Sequence, residues 1–137
     1  MDEKGKTLKP LVYSCSGCSS AAQMANYLAV KLDRHGDAEM SCIAGVGGNV
    51  KKLVRVAKSG RGIIAIDGCP LACVKACLQN HQVEPDLDFE LTRFGVAKVQ
   101  HQDFDPQHAQ VILKQIEQAI REKYTVNDKT SVEYIFP

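Results

Sequence analysis

The chain has 137 residues, 17 basic against 16 acidic side chains and a formal net charge of +1, with 45% hydrophobic and 24% charged residues. That length suits one domain whose core needs neither disulfide nor metal to fold. The balanced charge lacks the signature of a protein that binds nucleic acid or an anionic membrane. The polar, lysine-rich start over 1–10 has no apolar leader stretch, and runs such as 62–66 are too short to span a bilayer. A cytoplasmic protein with no membrane or nucleic-acid partner is expected.

The run over 11–15 (Leu-Val-Tyr-Ser-Cys) is short, apolar and β-favouring, and predicts a buried strand. Ser16 to Ser20 then form a turn in which Ser19 or Ser20 caps a helix. Ala21, Ala25, Leu28 and Leu32 share one face of that helix, and Gly36 stops it. The segment 38–44 predicts a second strand ending near Cys42. Gly45-Val46-Gly47-Gly48 reads as a tight turn, having neither a Walker lysine nor dinucleotide-loop spacing. Asn49 is expected to cap a helix carrying Val50, Leu53, Val54 and Ala57.

The β-branched run over 62–67 predicts a central parallel strand. Gly68 turns the chain, and Pro70 suits the first position of a helix reaching about Asn80. A fourth strand is expected over 89–94. Asp105 and Pro106 open a last helix with Ala109, Ile112, Ile116 and Ile120 on one face. The residues 1–9 are expected to be a flexible start. The tail over 125–137 holds a segment, 132–136, suited to an edge strand or to packing on a second copy in a homodimer.

Strands alternating with helices over short connections imply right-handed βαβ crossovers. The expected fold class is α/β, a three-layer sandwich with a mainly parallel sheet of four to five strands and Rossmann/flavodoxin-like βαβ topology. One domain is expected over 1–137, without linker or repeat.

The six cysteines fall on this scheme in a telling way. Cys15 ends strand one, Cys18 lies in the turn after it, Cys42 is near the end of strand two, and Cys69 follows strand three. Cys73 is expected one helical turn after Cys69, and Cys77 one turn further. All strand C-termini of a parallel sheet share an edge, the edge where ligands bind. Five cysteines from three βα junctions are therefore expected on one rim, with Cys77 set aside as core packing. For Cys42, metal ligand and core filler both remain open. In a reducing compartment such a cluster points to metal or thiol chemistry rather than to bridges. Helix N-termini next to the rim are expected to favour the thiolate.

Other residue patterns point elsewhere only weakly. Asp67 is expected to accept backbone N–H bonds from the turn after it. His81 reads as a surface residue, and His35, His101 and His108 have no partner in the sequence. Cys15 is not followed by the arginine that an anion-binding thiol phosphatase loop needs. No serine triad, paired carboxylates or His–Glu metal helix is present.

Three ordered motifs carry a family resemblance: Tyr13-Ser14-Cys15-Ser16-Gly17, Met40-Ser41-Cys42-Ile43-Ala44-Gly45 and Ile66-Asp67-Gly68-Cys69-Pro70 followed by Cys73. Together they resemble the bacterial DGC-domain family, named for its Asp-Gly-Cys motif. The resemblance implies zinc binding by four cysteines, which match Cys15, Cys42, Cys69 and Cys73 here; the Cys15-x-x-Cys18 spacing, that of a metal knuckle, keeps Cys18 as an extra or substitute ligand. It implies no reaction. The leading expectation is a zinc-binding protein. The alternatives are a cysteine-dependent redox, sulfur-transfer or detoxification enzyme using Cys15 or Cys69, and an iron–sulfur protein.

Overall fold

The structure, a computed structural model, describes residues 8–125. The expected edge strand over 132–136 and most of the expected flexible start lie outside these residues. Four parallel strands, β1 (Leu11–Ser14), β2 (Glu39–Met40), β3 (Ile63–Asp67) and β4 (Leu87–Glu90), form one sheet in the order β2-β1-β3-β4. Five helices accompany them: α1 (Ser20–Arg34), α2 (Ile43–Gly47), α3 (Lys51–Ala57), α4 (Cys73–Gln79) and α5 (Pro106–Thr125). A 3-10 turn, Leu91–Phe94, follows β4.

The pleat of the sheet sorts the core into two layers. Val12, Ile64 and Ile66 point to one face and meet Met24, Leu28 and Leu32 of α1 with Ile112, Leu113 and Ile116 of α5. Leu11, Tyr13, Ile63 and Ala65 point to the other and meet Val46, Ala57, Val74 and Leu78 from α2, α3 and α4. This is the expected three-layer α/β sandwich. Among the described residues no helix is long and apolar enough to cross a membrane.

Several local expectations are met. Ser19 caps α1, its Oγ accepting from the Ala22 N–H at 3.1 Å. Gly36 takes φ +82° just past the helix end. Asp105 Oδ1 accepts from the Gln107 N–H at 2.9 Å at the start of α5.

Several boundaries differ from expectation. The second strand stops at Met40, and the glycine-rich segment after Cys42 is helix α2 rather than a turn. Its glycines serve close packing. A Cβ on Gly45 would lie 2.0 Å from Leu53 Cδ1, and one on Gly47 would lie 2.9 Å from Cys77 Sγ. Asn49 is not the cap of α3; it adopts φ +64°, and Val50 holds the cap position. Helix α4 begins at Cys73, three residues after Pro70, because Ala72 is left-handed at φ +52°. The fourth strand lies at 87–90, earlier than the expected 89–94, which the 3-10 turn partly occupies.

At the edge of the sheet where the strands begin, α1 and α5 meet through His35, Asp37 and Glu117. His35 Nδ1 is 2.9 Å from Glu117 Oε2. Burial, with the neighbouring Glu117 carboxylate, pushes the Asp37 carboxyl up to about 7, so it shares its proton with Glu117. Burial works to raise Glu117 too, but hydrogen bonds from Asp37 and His35 outweigh it and hold Glu117 below its ordinary value. Asp37 binds its proton more tightly folded than unfolded. Its contribution to stability is therefore full below the ordinary carboxylate value of 3.8 and is lost as pH rises through about 7. Thermal denaturation between pH 5 and 8 should show Asp37→Asn gaining on the wild type as pH rises. A relative gain of about 2–4 °C is expected, since solvent screens a half-buried pair.

Candidate metal centre

The strand order determines where a ligand site forms. The chain leaves β1 for β2 on one side, then crosses to β3 on the other. The crevice outside the C-terminal ends of β1 and β3 is thus the switch point of the sheet. Cys15 follows β1, and its N–H donates to the Ile66 carbonyl at 3.1 Å. Cys69 follows β3 after one glycine, and the Gly68 N–H donates to Cys15 Sγ at 3.2 Å. Gly68 leaves no room for a side chain, since a Cβ there would lie 2.8 Å from the Ala21 carbonyl carbon.

A cavity of about 170 Å³ opens over this crevice, lined by Cys15, Cys18, Cys69 and Cys73 together with Lys98 and Gln100. Four of the five expected rim cysteines thus share one cavity. Cys42 does not line it; it is exposed at the cap of α2 and lines the neighbouring cavity with Ser14, Ser16 and Asn26. Cys77 is half-buried against α2, less deeply than a core position implies, and burial, with the charges of Cys73 and Asp67, pushes its thiol up.

The rim thiols are not equivalent. Cys15 is half-buried, while Cys18 and Cys73 are exposed. Burial pushes the Cys15 thiol up despite the Gly68 N–H, and the charges of Asp67, Cys73 and Cys69 add to the rise. The expected favouring of the thiolate is therefore not found at Cys15, where burial is the largest influence. Asp67 behaves as expected. Its buried carboxylate accepts from the Val74 N–H at 2.8 Å and the Lys75 N–H at 3.4 Å, supplying the first turn of α4 with the acceptor that Ala72 lacks.

Two contacts at the rim have no counterpart in the sequence reading. Lys98 Nζ lies 3.3 Å from Cys69 Sγ, and His101 Nδ1 lies 3.2 Å from Cys18 Sγ. Both come from the connector before α5, whose composition carries no signal for them. What signal exists is topological: the connector must return across the carboxyl edge of the sheet.

A tetrahedral zinc with Zn–S bonds of about 2.3 Å spaces its sulfurs about 3.8 Å apart. Among the described residues no three rim sulfurs lie within 4.8 Å of one another; the group that meets this spacing is His35, Asp37 and Glu117. The donor chemistry of the rim fits a thiophilic ion, and side-chain rotation must close the remaining distance.

The DGC domain family model matches residues 11–116. The chain is also similar to the Anaerobic and virulence modulator AnvM of Pseudomonas aeruginosa, 54% identical over 111 residues, covering 81% of this chain and 85% of the relative. No solved structure matches.

Replacing Asp67 by Ala strips the acceptor from two N–H groups at the start of α4. A loss of about 1–3 kcal/mol is expected. Urea denaturation measures it, and an unchanged midpoint would mean that Asp67 does not hold the Cys69–Cys73 turn.

Proposed function

The chain belongs to the DGC domain family, and we propose that it is a metal-binding protein holding one zinc ion at the switch-point crevice. The ligands are Cys15, Cys69 and Cys73, with Cys18 in the fourth position. The observation that carries this reading is that four thiols from two βα junctions line one small cavity. Four thiolates are an ordinary complement for a closed zinc site. The family resemblance favours Cys42 instead of Cys18, but Cys42 lies in the adjoining cavity.

Burial raises the Cys15 thiol, which slows it as a free nucleophile, and a metal ion binding there must displace the same proton. A reading as a thiol enzyme has one observation in its favour, the Lys98 ammonium beside Cys69. An iron–sulfur cluster uses the same donors. The similar protein's name makes it a modulator. That suits a site where the metal is a structural or sensing element rather than machinery for turnover.

Protein purified anaerobically without added metal is expected to be colourless and to carry close to one zinc per chain. Chelator should lower its melting temperature. Cys18→Ala should lose most of the zinc and Cys42→Ala should keep it; the reverse pattern moves the fourth ligand to Cys42. Absence of zinc, with melting unaffected by chelator, overturns the proposal, and a brown protein containing iron replaces zinc with a cluster.

A further inference from the structure

Four thiolates on a divalent cation leave two net negative charges, and sulfur lone pairs that still attract donors. The connector between β4 and α5 supplies both a charge and donors at this rim. It is clamped to the start of α1 by Ser20. The Ser20 Oγ–H donates to the Ala97 carbonyl at 2.8 Å, the Val99 N–H donates to Ser20 Oγ at 3.0 Å, and the Ser20 N–H donates to the Val99 carbonyl at 2.8 Å. Ser20 itself is buried, and the bonds it makes to the connector are partly buried. Lys98 lies between the two clamped residues, and its Nζ reaches Cys69 Sγ. Three residues on, His101 takes φ +62°, and its Nδ1 meets Cys18 Sγ. Each cation or ring contacts one sulfur, and the two contacted sulfurs come from different βα junctions.

We infer that Lys98 and His101 are positioning residues of the metal centre, donating N–H···S bonds to the bound thiolates of Cys69 and Cys18, with Ser20 holding their connector in place. This rests on the proposed zinc site. A metal-bound thiolate offers only lone pairs, so the His101 nitrogen facing Cys18 carries the proton. The Lys98 charge offsets part of the negative charge of the centre. Both bonds lower the electron density on sulfur, which restrains dissociation and dampens attack by the bound thiolates on electrophiles.

The test uses the full chain loaded with Zn²⁺ or Co²⁺, in wild type, Lys98→Ala, Lys98→Arg, His101→Ala and Ser20→Ala. Lys98 and His101 are exposed, so the metal-free variants are expected to melt as the wild type does. Competition with a chromophoric chelator should show zinc affinity falling about 10–100-fold in Lys98→Ala and His101→Ala. In the Co²⁺ form the sulfur-to-metal charge-transfer band should move to longer wavelength at unchanged intensity, as thiolates without donors give up electrons more easily. Lys98→Arg should restore both readouts, and Ser20→Ala should weaken zinc binding without touching a ligand. Unchanged affinity and band position in both alanine variants overturns the inference. So does a loss of band structure in His101→Ala that marks a missing ligand, because His101 would then bind the metal itself. A wild type that takes up neither metal fails at the zinc reading, before any variant is compared.

Discussion

The hydrogen bond from the Cys15 N–H to the Ile66 carbonyl continues the β1–β3 ladder past the last paired residues. The rim depends on it. It carries the parallel register to the end of both strands, so Cys15 emerges beside Gly68 and not a residue above or below. The absence of a side chain at Gly68 then lets α1 come down onto the turn, with the Ala21 backbone at a distance no Cβ would tolerate. One ladder and one missing methyl bring the first and third βα junctions together. Cys18 rides on the turn that enters α1, and Cys69 and Cys73 on the turn that enters α4.

Electrostatics at this junction run against what a helix N-terminus alone suggests. Cys15 and Asp67 are both drawn from water, and burial raises both groups. Asp67 answers with two backbone donors from α4; Cys15 has one, from Gly68. A site with this much unmet preference for charge compensation gains from a bound cation. The same preference accounts for the value of an ammonium group at Cys69. Burial is the largest influence on Cys15, and the N–H groups of Val74 and Lys75 in α4 are already taken by Asp67.

Most of the scaffold was legible because its signals are local. The apolar run of β3, the serine cap of α1, the Asp105-Pro106 start of α5 and its Ala109 to Ile120 face each declare themselves within a few residues. The errors share a cause. Gly45 and Gly47 were read for their backbone freedom, yet they are present so that Leu53 and Cys77 can pack against α2, a reason that lies in other elements. The start of α4 was misplaced because Pro70 is a good helix opener locally, while the left-handed Ala72 and the reach of Asp67 over seven residues decide the matter. The separation of Cys42 from the other rim thiols follows from β2 ending two residues before it. A strand continuing to 44 would have carried it elsewhere. Lys98 and His101 carry no local signal, since their partners lie 29 and 83 positions away in the chain.

On the proposed zinc reading, sulfurs that stand too far apart for zinc would be drawn together by the adjustable part of the rim. The Cys15 backbone is held by the sheet, and its sulfur accepts the Gly68 N–H. Cys18 and Cys73 are exposed, one on a turn and the other at the first residue of a short helix behind a left-handed residue. Their exposure to solvent leaves their side-chain bonds room to rotate. Cys69 is intermediate in both burial and constraint, with Lys98 on its sulfur. Closure on an ion would on that reading proceed from the solvent side inward, onto a thiol the fold has already placed. Cys42 stands at the cap of another helix and lines the adjoining cavity, which shares Ser16 with this one. That separate lining, rather than any difference in thiol chemistry, is what supports Cys18 over Cys42.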